Sequence, residues 1–423
     1  MKKIAGLLFA SLLIHVSIAQ STKKLTQGNP EENGFSPERL ARIDQTLNEY
    51  VAKGYIPGAV ALIVRNGKIV YEKSFGFSDV ESKTTLKSDH IFRIASQSKA
   101  ITSLAVMMLW EEGKFTLDEP ISKYIPEFKN PKVLVTFNEK DSSYTAMPAK
   151  SEITIRQLLT HSSGIGYANI GTKEFNAISS KAHVPSGIGI SNNTDVLADK
   201  MKILGSLPLR HHPGEEWTYG LNTDLLGYLV EVLSGSTFNE FLQQRIFKPL
   251  GMNDTYFYLP REKQNRLVSL YENKENKLSK PAVVYDNVDP NYPNTDGKYY
   301  SGGAGLSSTV EDYAKFLQLF LNKGEYNGVR LLGRKTVELM LTNQLQAPIT
   351  EKFGLGFGLE TPENDYKSPY SIGSFSWGGA FSTAYWADPR EKLIGIIFTN
   401  IYNNKHGELA EKYKALLYQA IVD

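Results

Sequence analysis

Apolar side chains recur every three to four positions at Leu40, Ile43, Leu47 and Tyr50, directly behind Ser36-Pro37. That spacing puts them on one face of a helix, with the serine placed to cap the first free N–H groups and the proline tolerated in the first turn. The next stretch has a different rhythm. Ala59 to Val64 is continuously apolar, Asn66-Gly67 interrupts it and Ile69 to Tyr71 resumes it. Two strands joined by a type I′ turn are predicted, because Asn-Gly accepts the positive φ angles that this turn needs. The far end of the chain carries a similar set. Phe381 to Ala387 and Leu393 to Thr399 flank Asp388-Pro389-Arg390-Glu391 as a second hairpin. A helix follows from Glu408, with Leu409, Tyr413, Leu416, Leu417 and Ile421 on its buried side. Between the ends the signals are mostly helical, at 101–112, 155–160, 225–233 and 238–247.

The simplest architecture is α+β. The two terminal hairpins share one antiparallel sheet covered by the terminal helices, and an all-helical domain is inserted between them. On this reading residues 34–95 and 305–423 form an α/β domain, residues 96–304 a mainly helical one, and a cleft lies at their junction.

The first nineteen residues stand apart. Lys2 and Lys3 precede an apolar run from Ile4 to Ile14, and Val16-Ser17-Ile18-Ala19 ends in small residues. This predicts a cleavable secretory signal cut after Ala19, since the apolar run is short of the roughly 20 residues of a membrane span. A periplasmic or secreted protein without a membrane anchor is expected, with residues 20–33 as a flexible lead-in. The chain has no cysteine, which excludes a thiol nucleophile, a disulfide and a cysteine-linked lipid anchor. Its 47 basic and 45 acidic side chains become 45 against 45 once Lys2 and Lys3 are removed. Without a basic surface or a block of like charge, nucleic acid is not an expected partner.

Candidate chemistry begins at Ser96-Gln97-Ser98-Lys99, between the strand-like Ile91 to Ile94 and the helical run from Ile101. A serine at a helix start and a lysine one turn later share a face. A serine hydroxyl is a poor nucleophile until a base removes its proton, and a lysine can do so when desolvation favours its neutral form. The backbone N–H of Ser96 is also free at the helix start to hold an oxyanion. The spacing alone is not specific: Ser21 and Lys24 share it, and Ser96 could be an ordinary helix cap.

Four further segments follow in order. They are Leu158-Leu159-Thr160-His161-Ser162-Ser163-Gly164, Pro213-Gly214-Glu215-Glu216-Trp217-Thr218-Tyr219, Pro249-Leu250-Gly251-Met252 and Trp377-Gly378-Gly379. With Ser96-x-x-Lys99 they resemble the serine β-lactamase-related hydrolases: class C β-lactamases, penicillin-binding proteins, D-aminopeptidases and class VIII carboxylesterases. The resemblance spans about residues 35–420 and implies the β-lactamase/DD-peptidase-like fold. It also implies Ser96 as nucleophile, Lys99 and Tyr219 as its proton-transfer partners, and the N–H groups of Ser96 and Ala380 as the oxyanion hole. Trp377, Gly378 and Gly379 would line the substrate, with Asn222 a further candidate.

The departures from the family pattern bear on specificity. The class C Tyr-x-Asn reads Tyr219-Gly220-Leu221, so Asn222 comes one place late, and the spacing to Asp224 is more like class VIII esterases. Asp224 reads as a structural carboxylate near a helix start. No Lys-Thr-Gly occurs, since Lys335-Thr336 runs into Val337 in a helical pattern; Trp377-Gly378-Gly379 takes that place, ahead of the strand from Phe381. Losing that cation favours neutral esters over anionic β-lactams, so the expectation is an exported carboxylesterase on small or medium esters. The rival readings are a β-lactamase, D-amino-acid peptidase or transacylase using the same serine, and a non-catalytic cell-wall binder on the same fold. The histidines show no metal-binding spacing and no Gly-x-Ser-x-Gly elbow exists, so neither metal nor cofactor is expected. His161 reads as part of a structural loop, and the glycine-rich Ser301 to Gly305 as a border of the pocket.

Overall fold

The computed structural model describes residues 24–185, 190–191, 194–275, 277–285 and 288–423. The expected signal at 1–19 lies outside the described residues. Helix α1 (Pro37–Ala52) is capped by Ser36, whose Oγ accepts from the Arg39 N–H at 3.3 Å, and it buries Leu40, Ile43, Leu47 and Tyr50. Strands β1 (Gly58–Arg65) and β2 (Lys68–Asp79) follow. Asn66 at φ 54° and Gly67 at φ 73° make the tight turn between them. Residues 24–33, expected as a flexible lead-in, are instead tied down: Thr26–Gln27 runs parallel to Lys68–Ile69 at the sheet edge. Asn29 Oδ1 then accepts from the Glu31 N–H, starting a helical turn.

The short strand β3 (Phe92–Arg93) leads into helix α2 (Ser98–Glu111). Helices α3 (Ile155–Leu159), α4 (Asn222–Ser234) and α5 (Val310–Leu321) come next. The chain between α2 and α5 is not helical throughout: Lys132–Phe137 pairs with Tyr144–Pro148, and Tyr271–Lys274 pairs with both Lys277–Ser279 and Ile401–Tyr402. Strands β4 (Phe375–Gly379), β5 (Thr383–Asp388) and β6 (Leu393–Phe398) and helix α6 (Leu409–Tyr418) complete the frame.

The central sheet runs in the order Thr26–Gln27, β2, β1, β6, β5, β4, Gly358–Leu359. Its pairings are antiparallel except the first. The terminal hairpins therefore meet at β1 and β6, where Leu62 sits opposite Ile396. All eight residues of β1 are buried because both faces of the sheet are covered. Val60, Leu62 and Val64 enter the larger core with α2, α4 and α5, while Ala59, Ala61 and Ile63 enter a second core under α1 and α6. One reading needs correction. Trp377-Gly378-Gly379 is not merely ahead of a strand but forms the last three residues of β4, and the strand that follows, β5, begins at Thr383 and not at Phe381. Two adjacent glycines carry no β-propensity signal, yet Trp377 pairs across the ladder with Tyr385.

Candidate active site

Ser96 lies in a 3-10 turn, Ala95–Gln97, between β3 and α2. The turn is held from several sides. Fully buried Arg93 donates to the carbonyls of Pro290 and Val268, each at 2.8 Å. Ser98 Oγ donates to Ala95 O at 2.7 Å and accepts from the Leu306 N–H at 3.1 Å. The Tyr313 hydroxyl donates to Gln97 O at 2.9 Å. This frame fixes Ala95 at φ 42°, a region a residue with a Cβ enters only when its surroundings compel it. Strain of this kind immediately before a buried serine presents the hydroxyl in one direction.

Lys99 is in the first turn of α2 and almost fully buried. Its Nζ reaches Ser96 Oγ at 3.3 Å, Tyr167 Oη at 3.0 Å and Gly303 O at 2.7 Å. It also stands 4.5 Å from the centre of the Tyr219 ring. The Tyr219 hydroxyl accepts from Trp377 Nε1 at 3.2 Å. The ring is boxed by His161, Tyr167, Trp217 and Trp377, with centroids 4.8 to 5.8 Å away. Ser96 with Lys99, Tyr219 and Trp377 are thus brought together from three distant parts of the chain.

Strand β4 packs against the start of the turn bearing Ser96 because Gly379 has no side chain. A Cβ there would lie 2.4 Å from Ile94 O and 2.3 Å from Thr383 Oγ1. Ala380, at the turn after β4, packs on the same small apolar cluster as Ala95, Ala304 and Phe381. Gly378 is exposed on the strand.

Asn222 is a correction. Expected to face substrate, it is fully buried, and its amide is consumed within the protein. Nδ2 donates to Ile165 O and His161 Nδ1, each at 3.0 Å, and Oδ1 accepts from Ser163 Oγ. As the first residue of α4 it points inward and ties down the 161–165 loop. His161 is held neutral: burial first, then the Lys99 charge, lowers its pKa well below the ordinary value.

Tyr167 is the site residue that sequence reasoning missed. No motif surrounds it, and it is one of 23 tyrosines. Its link to the site is long-range, through its hydroxyl to Lys99 and its N–H to Tyr219 O at 3.2 Å.

A cavity of about 390 Å³ lies between the outer strands and α6, lined by Tyr370, Ser376, Trp386 and Lys414 among others. Trp377 and Gly378 also line it, whereas Ser96, Lys99 and Tyr219 do not. Among the described residues no group of three or more His, Cys, Asp or Glu side chains could hold a metal ion, and no helix is long and apolar enough to cross a membrane.

Comparison with known proteins bears on this geometry. A family model described as Beta-lactamase matches residues 43–419. The Mycobacterium tuberculosis protein MT1414, described as uncharacterized, is 30% identical over 365 residues, covering 82% of this chain and 87% of that protein. Esterase EstB of Burkholderia gladioli is 26% identical over 402 residues, covering 89% of this chain and 95% of EstB. The fold is shared with EstCE1, a hydrolase with promiscuous acyltransferase activity, at a TM-score of 0.77 and 23% identity over 90% of this chain and 99% of that one.

Proposed function

The chain belongs to the Beta-lactamase family and is a serine hydrolase, and from that premise we propose that it is an exported carboxylesterase acting through an acyl-enzyme on Ser96. The observation that carries the reading is the buried contact of 3.3 Å between Lys99 Nζ and Ser96 Oγ. In acylation the Ser96 hydroxyl proton passes to Lys99 as Oγ bonds to the ester carbonyl carbon. The carbonyl electron pair moves to oxygen, where the N–H groups of Ser96 and Ala380 hold it. Collapse breaks the ester C–O bond, and the departing alkoxide takes a proton from the Tyr219 hydroxyl, which Lys99 then reprotonates. Water repeats the cycle on the acyl-enzyme and releases the acid.

Ester preference rests on Trp377. It keeps an aromatic wall on β4 where β-lactam-directed relatives carry a cation, so an anionic substrate gains nothing there. Esterase EstB, named for that activity, supports the same substrate class. Export rests on the Lys2-Lys3 and Ile4 to Ile14 pattern.

The test compares kcat/KM for p-nitrophenyl butyrate and a chromogenic cephalosporin, with intact mass after brief exposure to each. The ester is expected to be the better substrate and to leave an acyl adduct that Ser96→Ala lacks. A cephalosporin turned over far more efficiently would sink the ester assignment, and an adduct persisting in Ser96→Ala would sink the nucleophile.

A further inference from the structure

Lys99 Nζ has three acceptors around it: Gly303 O at 2.7 Å, Tyr167 Oη at 3.0 Å and Ser96 Oγ at 3.3 Å. An ammonium offers three N–H donors; a neutral amine offers two and a lone pair. With Gly303 O and Tyr167 Oη each taking an N–H, the vertex left over faces Ser96. A neutral lysine held this way presents its lone pair to the serine proton.

Behind Tyr167 lies a second group. A Cβ on Gly303 would sit 2.8 Å from Tyr167 Oη and 2.5 Å from Asp224 Oδ2, so the phenol and the carboxylate crowd the same face of this glycine. Asp224, in the first turn of α4, is fully buried and has no ion-pair partner among the described residues, with only the Ser301 and Tyr299 hydroxyls and the Gly303 N–H facing it. A carboxylate left this way is costly to the fold. Burial pushes its pKa up to about 7, against the opposing pull of the Ser301 hydroxyl and the Lys99 charge. Tyr167 is kept protonated, first by burial and then by the Asp224 charge. The other titratable groups facing this pair are Tyr219, Tyr285 and Tyr299, with His161 facing Lys99.

We propose that Tyr167 and Asp224 are positioning residues for the proton transfer from Ser96: Tyr167 aims the free vertex of Lys99 Nζ at the serine, and Asp224, across Gly303, is the counter-charge for the ammonium formed when Lys99 takes the proton. No proton moves to either residue. The inference rests on the assignment of Ser96 and Lys99 made above, and it gives a use to a buried carboxylate that would otherwise only destabilise the protein.

Single-turnover acylation by p-nitrophenyl butyrate, followed from pH 5 to 9, tests it in the wild type, Tyr167→Phe, Asp224→Asn and Ser96→Ala, with the melting temperature of each. Tyr167→Phe removes one oxygen and is expected to slow acylation about 10- to 100-fold, with ester affinity within about twofold of wild type. Asp224→Asn is nearly isosteric and is expected to slow acylation about tenfold at pH 8, and to take from the rate profile the fall that protonation of the carboxyl, whose pKa burial raises to about 7, brings in the wild type. Wild-type rates and profiles in both variants, beside an inactive Ser96→Ala, would overturn the proposal while leaving the nucleophile intact. So would a lowered melting temperature with acylation unchanged, which marks packing alone. Acylation surviving in Ser96→Ala would instead remove the reading on which the proposal stands. Should Tyr167→Phe not fold, the pH profile of Asp224→Asn decides.

Discussion

Trp377 Nε1 donates a 3.2 Å hydrogen bond to the hydroxyl of Tyr219, joining the strand that lines the cleft to the phenol beside Lys99. The same indole packs 5.6 Å from the Tyr219 ring. One residue therefore supplies an apolar wall and sets the direction of a hydroxyl expected to hand a proton to the leaving group.

Trp377→Phe separates these roles, since it keeps the wall and removes the donor. A neutral hydrogen bond contributes about 0.5–1.5 kcal/mol, or roughly 2- to 13-fold in rate. The variant is expected to lose that factor in kcat while KM for a nitrophenyl ester stays within about twofold. Steady-state kinetics on the purified variant check this, and a change confined to KM would show that the indole acts only as a wall.

Much of the frame is legible in the sequence because local chemistry and tertiary burial agree there. Leu40, Ile43, Leu47 and Tyr50 fall on the buried face of α1, and Asn66-Gly67 forms its turn. Strand β4 is not legible, because Trp377-Gly378-Gly379 offers neither alternation nor β-branched residues and becomes a strand only by pairing with β5. The proximity of Ser96 and Lys99 is legible in their spacing of one helical turn. Tyr167 escapes because its contacts with Lys99 and Tyr219 cross 68 and 52 positions of the chain, and Asn222 misleads because its type suits a substrate amide while its place on α4 turns it inward.

Gly379→Ala tests whether β4 must press against the turn bearing Ser96. Its Cβ would meet Ile94 O at 2.4 Å, and backbone cannot rotate away as a side chain can. A destabilisation of about 1–3 kcal/mol is expected, as for other overpacked sites. Because the shift also moves Ala380, kcat should fall by at least about tenfold in the protein that remains folded. Urea denaturation and active-site titration measure the two effects separately.

Asn222→Ala should behave as a structural lesion. It leaves the Ser163 hydroxyl and the Ile165 carbonyl without their buried partner, at about 1–3 kcal/mol. Chemical denaturation should register that loss, while the ratio of kcat/KM values for two esters differing only in their acyl group stays unchanged. A shift in that ratio would return Asn222 to the substrate.

Asp224→Asn should stabilise the protein at high pH and progressively less as the pH falls. The folded carboxyl has its pKa raised from 3.8 to about 7. Between these values the folded state binds the proton and the unfolded state does not, so this group's contribution is full below about pH 4 and is lost as the pH rises to about 7. The loss is about 1.4 kcal/mol per pH unit at most. His161 acts in the opposite sense: its lowered pKa means that the unfolded chain takes up the proton first, and stability falls as the pH drops below about 6.5. Both proteins carry His161, so its effect cancels in their difference. Urea unfolding at pH 5 and pH 8 should therefore give a stability difference that favours the asparagine variant and is larger at pH 8. A variant more stable at pH 8 yet slower in acylation would show that the unpaired carboxylate is retained for the reaction at the expense of the fold. A difference independent of pH would mean that Asp224 does not change its ionisation between the folded and unfolded chain.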